Sequence, residues 1–136
     1  MHREIAMSQL TVFLARLLGL FTVLIIGAML LRGSVMVDAA LANQPVMLTY
    51  GMISLALGLA MVLGHNIWSG GALPVVVTLV GWLILAKGLA LLLVPPEAMT
   101  RFYSHMQYRE NFNFYLLPSL VIGLYLTWAG FTERPR

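Results

Sequence analysis

Two cations stand inside apolar runs: Arg16 within Leu10 to Leu31, and Lys87 within Ala72 to Val94. A charge at mid-membrane depth costs about 2.5–3.5 kcal/mol on insertion scales, so such residues pair, snorkel along their stems to the headgroups, or line a wet cavity. Arg16 lies about 9 Å inside the start of its run and Lys87 about 10 Å inside the end of its run, at ~1.5 Å per residue. The two runs cross in the same direction, so the cations sit near opposite faces and cannot bridge each other. Arg16 shares its side with Glu4, His65, Asn66, Tyr125 and Glu133. Lys87 shares its side with Asp38, Tyr50, Glu97 and Tyr103. Arg16, Lys87, Tyr50 and His65 are therefore the candidate ligand- or lipid-binding residues.

Other chemistries find little support. A bis-histidine haem needs two imidazoles facing each other at one depth, but His65 and His105 fall on opposite sides and His2 sits near a chain end. No His/Asp/Glu spacing resembles a metal site. The nine methionines are scattered, with no MxxM cluster for copper. The absence of cysteine excludes disulfides, thiolate catalysis and thiolate metal sites. There is no GxSxG, no phosphate loop and no carboxylate within an apolar run to relay protons. No catalytic residue, metal or cofactor is expected.

The elements that must carry these residues are membrane spans. The chain has 136 residues, 60% of them hydrophobic and 10% charged, with a mean hydropathy of +0.89. Soluble domains run nearer ~25% charged, and a short chain cannot bury so much apolar surface within itself. A helix over Ala72–Val94 rises about 35 Å, enough for a ~30 Å hydrocarbon core. Pro95 and Pro96 cannot continue it. Further spans are expected at about 10–31, 46–63 and 114–131. The first resembles a signal peptide, with Ala40-Leu41-Ala42 as a mimic of a cleavage site. Its length, and Arg32 and Asp38 between it and that site, favour an uncleaved helix. Val35 to Ala42 reads as a short helical turn at the interface.

Residues 97–112 differ. Met99, Phe102, Tyr103 and Met106 fall at i, i+3, i+4 and i+7, while Arg101, Ser104, His105 and Arg109 lie elsewhere on the wheel. This spacing predicts an amphipathic interfacial helix between the third and fourth spans. Trp68, Tyr103, Tyr108, Phe112, Phe114, Tyr115 and Trp128 cluster at interface heights as an aromatic belt, and Trp82 reads as packing. The fold class is all-α: one integral membrane domain, a four-transmembrane-helix bundle with one amphipathic interfacial helix. Each span offers a seam of small residues for close packing: Ala15, Gly19 and Gly27; Ala56, Ala60 and Gly64; Thr78, Gly81 and Gly88; Ser119, Gly123 and Thr127.

The partners implied are the lipid bilayer and either further copies of the chain or a larger membrane protein complex. The net charge of +3, without a basic run, does not describe a nucleic-acid surface. Lysines and arginines divide evenly between the two sides, so the positive-inside rule gives a tie. The short N-terminal tail, and a Gly64–Gly71 turn without Lys or Arg, favour termini in the cytoplasm of a bacterial inner membrane.

The order of parts resembles small four-helix bacterial membrane proteins of the DoxX-like kind. Leu14 to Leu20 followed by Gly27 looks like their opening helix, and Tyr50-Gly51 to Leu57-Gly58-Leu59 looks like their second. The His65-Asn66-Ile67-Trp68 turn, followed by Gly81-Trp82 and Lys87-Gly88, is similar to short, uncharacterised bacterial inner-membrane proteins and is absent from the DoxX pattern. The resemblance implies a four-helix inner-membrane protein, some relatives being subunits of quinone-linked oxidoreductases; here a quinone would lie near Lys87 and Tyr50. The residues themselves favour a non-catalytic accessory, assembly or scaffold subunit acting through helix–helix contacts. The alternative is a small oligomeric transporter or channel-like protein with Arg16 or Lys87 on a polar path.

Overall fold

The computed structural model describes residues 8–133 and is built of helices alone over that range. His2, Glu4, Arg134 and Arg136 lie outside the described residues. Six helices follow in order: α1 (Gln9–Arg32), α2 (Val35–Ala42), α3 (Gln44–Gly64), α4 (Ala72–Leu93), α5 (Pro96–His105) and α6 (Phe112–Thr132).

Local chemistry sets the boundaries. Ser8 accepts the N–H of Thr11 and starts α1. Gly33 ends α1 at φ +69°, a left-handed position that glycine adopts without a Cβ clash. Asn43 accepts the N–H of Val46, and Pro45 stands in the first turn of α3. Gly70 and Gly71, both at positive φ, release the chain into α4. Pro118 falls inside α6, and the helix continues through it.

Four helices, α1, α3, α4 and α6, are long and apolar enough to cross a membrane. Large apolar side chains stand outward on all four, among them Phe13, Leu24, Leu83, Val121 and Trp128, each more than half exposed. A soluble fold does not leave such a girdle in water; hydrocarbon solvates it. The protein is a multi-pass membrane protein. Its spans sit close to their expected bounds.

The bundle is two tight pairs joined at one end. α1 packs along α6, and α3 packs along α4. Glycines bring the partners to backbone distance: a Cβ on Gly58 would lie 2.5 Å from the backbone of Leu85, and one on Gly88 would lie 2.5 Å from Leu55 N. Gly19 makes the same approach to Thr127, 2.5 Å from its backbone N. Between the pairs, Ala15, Leu18, Met61, Leu73, Val77, Leu126 and Ala129 form a common core near the α3–α4 turn. At the opposite end, Ile26, Tyr108, Phe112 and Leu116 form a second core, covered by Val37 and Leu41 of α2 and Tyr103 of α5. We refer to these as the turn end and the cap end.

The structure corrects three expectations. The seam of α3 is Gly51 and Gly58, not Ala56, Ala60 and Gly64, which are all exposed. At about 100° per residue, Ala56 and Ala60 lie ~200° from Gly58 on either side, on the outer face of the helix. Gly27 and Ser119 likewise fall outside the α1–α6 contact, Gly27 with no other helix within 4 Å of where a side chain would begin. The interfacial helix stops at His105 rather than near 112, and Gln107 takes φ +52° as the chain turns back. The short helical segment read at Val35 to Ala42 is α2, with those bounds.

Candidate functional site

His65 follows the last residue of α3, and α4 begins at Ala72. The turn packs it inward, leaving 2% of it exposed. Its Nε2 lies 2.8 Å from Thr11 Oγ1 of α1, and its Nδ1 lies 3.1 Å from Thr78 Oγ1 of α4. The Thr78 hydroxyl accepts the Ile67 N–H at 3.0 Å and gives its own proton to the carbonyl of Pro74 or Ile67, each 2.9 Å away. Its remaining lone pair suits a proton donated by Nδ1. Nε2 then accepts from Thr11, whose oxygen accepts in turn from Ser8 Oγ at 2.8 Å. This assignment satisfies every polar group in the chain, which a buried site requires. Burial disfavours the imidazolium and lowers the pKa of His65 below its ordinary value. His65 thus clasps α1 to α4, the two helices that join the pairs.

Arg16 is half-buried at the same end. Its Nε donates to the carbonyl of Gly130 at 2.7 Å, and its guanidinium lies 5.0 Å from the Phe131 ring centre. Gly130 stands in the last turn of α6, where carbonyls have no partner within the helix. A cation there also meets the negative end of the helix dipole. Arg16 therefore caps α6 from the neighbouring helix. Asn66 Oδ1 accepts the indole N–H of Trp68 at 2.7 Å and lies 3.5 Å from that of Trp82. Trp82 is exposed rather than packed inside the bundle.

Lys87 and Tyr50 lie on the outer surfaces of α4 and α3, both exposed. Neither takes part in a side-chain hydrogen bond or ion pair among the described residues. Of the four candidate residues, the structure brings His65 and Arg16 into polar contacts at the turn end and leaves Lys87 and Tyr50 facing outward. Among the described residues, no three His, Asp or Glu side chains gather as a metal-ligand set.

A second polar cluster lies at the cap end. Asp38 of α2 accepts the hydroxyl of Tyr108, the hydroxyl of Ser34 at 3.0 Å and the Nε–H of Arg109 at 3.0 Å. Arg109 Nη2 adds an ion pair at 3.0 Å to the same oxygen, Oδ1. The Tyr108 hydrogen bond, followed by those of Ser34 and Arg109, holds the Asp38 carboxyl below the usual carboxylate range. Burial, then the neighbouring carboxylate, raises the Tyr108 phenol. In sequence Tyr108 belongs to the aromatic belt and Arg109 to a polar helix face. The signal for their pairing is Asp38 itself, the only carboxylate between the first two spans and on the same side as Arg109.

Comparison of the chain with protein-family models, with curated proteins and with solved structures gives no match.

Proposed function

We propose that the protein is a non-catalytic membrane component, an accessory, assembly or scaffold subunit that docks sideways on another membrane protein. The observation that carries this reading is the outer face of α3. α3 spends Gly51 and Gly58 on α4, yet Ala56, Ala60 and Gly64 form a second seam on the opposite face. Small residues four apart allow a foreign helix to approach closely, the main source of helix association in lipid. Apart from Met61, which reaches the common core, α3 packs on α4 and more lightly on α2. The DoxX-like order of parts supports a bacterial inner membrane as its location.

The test places a photo-crosslinking side chain at position 60 in native membranes and compares wild type with Ala60→Leu in gentle purification. A stoichiometric membrane protein crosslinked through position 60, and lost in Ala60→Leu with helical content unchanged, is expected. A homo-oligomer arriving alone, indifferent to Ala60→Leu, would overturn the reading. The transport alternative would then lead, with Arg16 and Lys87 as the first residues to replace.

A further inference from the structure

The cap end carries a half-open cavity of about 400 Å³ between α2, α5 and the chain that links α5 to α6. Its lining is two-sided. Leu41, Ala42 and the Tyr108 ring are apolar, whereas Thr100, Ser104, Gln107, Arg109 and Glu110 are polar. Both short helices connect the ends of spans, so the cavity lies at headgroup depth rather than in hydrocarbon. Its volume is at the low end of the ~300–1,000 Å³ typical of small-ligand sites. A headgroup fits there, whereas a whole lipid does not.

The charges select among headgroups. Arg109 is fixed in place before any ligand arrives. Its Nε and Nη2 hold Asp38 Oδ1, and Asp38 is itself tied to Ser34 and Tyr108. Nη1 remains free for an oxyanion, and 70% of the Arg109 side chain is exposed. A pinned guanidinium loses little freedom on binding phosphate, the geometry at which arginine excels. Glu110, next in the chain, also lines the cavity and has no ion-pair partner among the described residues. Together Asp38, Arg109 and Glu110 leave the lining one negative charge in excess. A net-anionic headgroup is repelled, and a phosphate that carries its own ammonium is accepted.

We propose that this cavity binds the headgroup of an amine-bearing zwitterionic phospholipid, with phosphate on Arg109 and ammonium on Glu110. The site is independent of the α3 docking face, which lies on another helix. The test is native mass spectrometry of the full chain released from detergent, titrated with phosphatidylethanolamine or phosphatidylglycerol of matched acyl chains. The ethanolamine lipid should bind about tenfold more tightly, the worth of one charge-assisted contact. Glu110→Gln should erase that preference, and Arg109→Gln should weaken both lipids. Glu97→Gln, on the same helical cap but outside the cavity lining, should change neither.

Equal or tighter binding of phosphatidylglycerol to wild type would overturn the proposal. So would a preference that survives Glu110→Gln, a replacement that removes no side-chain hydrogen bond among the described residues. Glycerophosphoethanolamine binding as tightly as the lipid, with the same dependence on both residues, would overturn the membrane as source and make the ligand a soluble phosphoamine.

Discussion

His65 and Thr11, fifty-four residues apart in the chain, meet across a 2.8 Å hydrogen bond that ties the α3–α4 turn to α1. A second bond, to Thr78, completes the clasp. Replacing His65 by Ala leaves both hydroxyls short of a buried partner and opens a void. The loss should be about 2–4 kcal/mol, read from unfolding titrations in mixed micelles.

The same residue should make stability depend on pH. Its folded pKa lies below the unfolded value of about 6.5, because burial penalises the charged ring. Between the two values the unfolded chain binds the extra proton. Stability should therefore be full above about pH 6.5 and fall as pH drops towards the folded value. His65→Gln should lack that decline. A wild-type melting temperature that stays flat from pH 7 to 5 would remove this account.

Glycine substitutions should divide by position. Gly58→Ala and Gly88→Ala each push a methyl group into a neighbouring helix backbone 2.5 Å away. Each should cost about 1–3 kcal/mol, since backbone yields less readily than a side chain. Gly27→Ala meets nothing within 4 Å. It should be neutral or stabilising by up to about 1 kcal/mol through helix propensity. The three variants compared by thermal unfolding in one detergent check this.

Arg16→Met should free the Gly130 carbonyl and fray the end of α6. A cost of about 1–2 kcal/mol is expected, with faster amide exchange confined to the last turn of α6. Arg16→Lys should recover part of this, since an ammonium retains the charge but not the guanidinium's donor geometry at the Gly130 carbonyl.

Tyr108→Phe removes the leading influence on Asp38. Asp38 is held low in the folded state, so its contribution is present above the unfolded carboxyl pKa of ~3.9 and lost as pH falls through the folded value. The variant should be less stable at neutral pH and should lose less on acidification. Melting curves from pH 6 down to 2 distinguish the two slopes.

Sequence reading located the spans because each is a long apolar run with a sharp polar or proline boundary. It also found Ala15 and Gly19 on α1 and Gly81 and Gly88 on α4, which lie in the helix contacts, although it added Gly27, which does not. On α3 it chose the wrong face. Gly51 and Gly58 compete there with Ala56 and Ala60, and in lipid both faces are equally apolar, so hydrophobic pattern carries no vote. The end of α5 was hidden for another reason. No glycine or proline stops the helix near His105; the turn at Gln107 brings Tyr108 and Arg109 to Asp38, a partner seventy residues earlier for Tyr108. His65 was placed at the correct end, yet its burial depends on Thr11 and Thr78 arriving from two other helices. Nothing in the local spacing marks Thr11 for that role.

The pairing of the helices also sets which contacts can form before the chain is complete. α3 and α4 are neighbours in the chain, and their glycine contacts can close as soon as the second of them is inserted. α1 is made before both, but its partner α6 emerges only after them. Until then α1 waits in the bilayer with Gly19 uncovered and Arg16 without the Gly130 carbonyl. The early hairpin can hold it meanwhile through Thr11 and His65. The polar clasp at the turn thus needs no residue of α6, whereas the α1–α6 seam must await the last span.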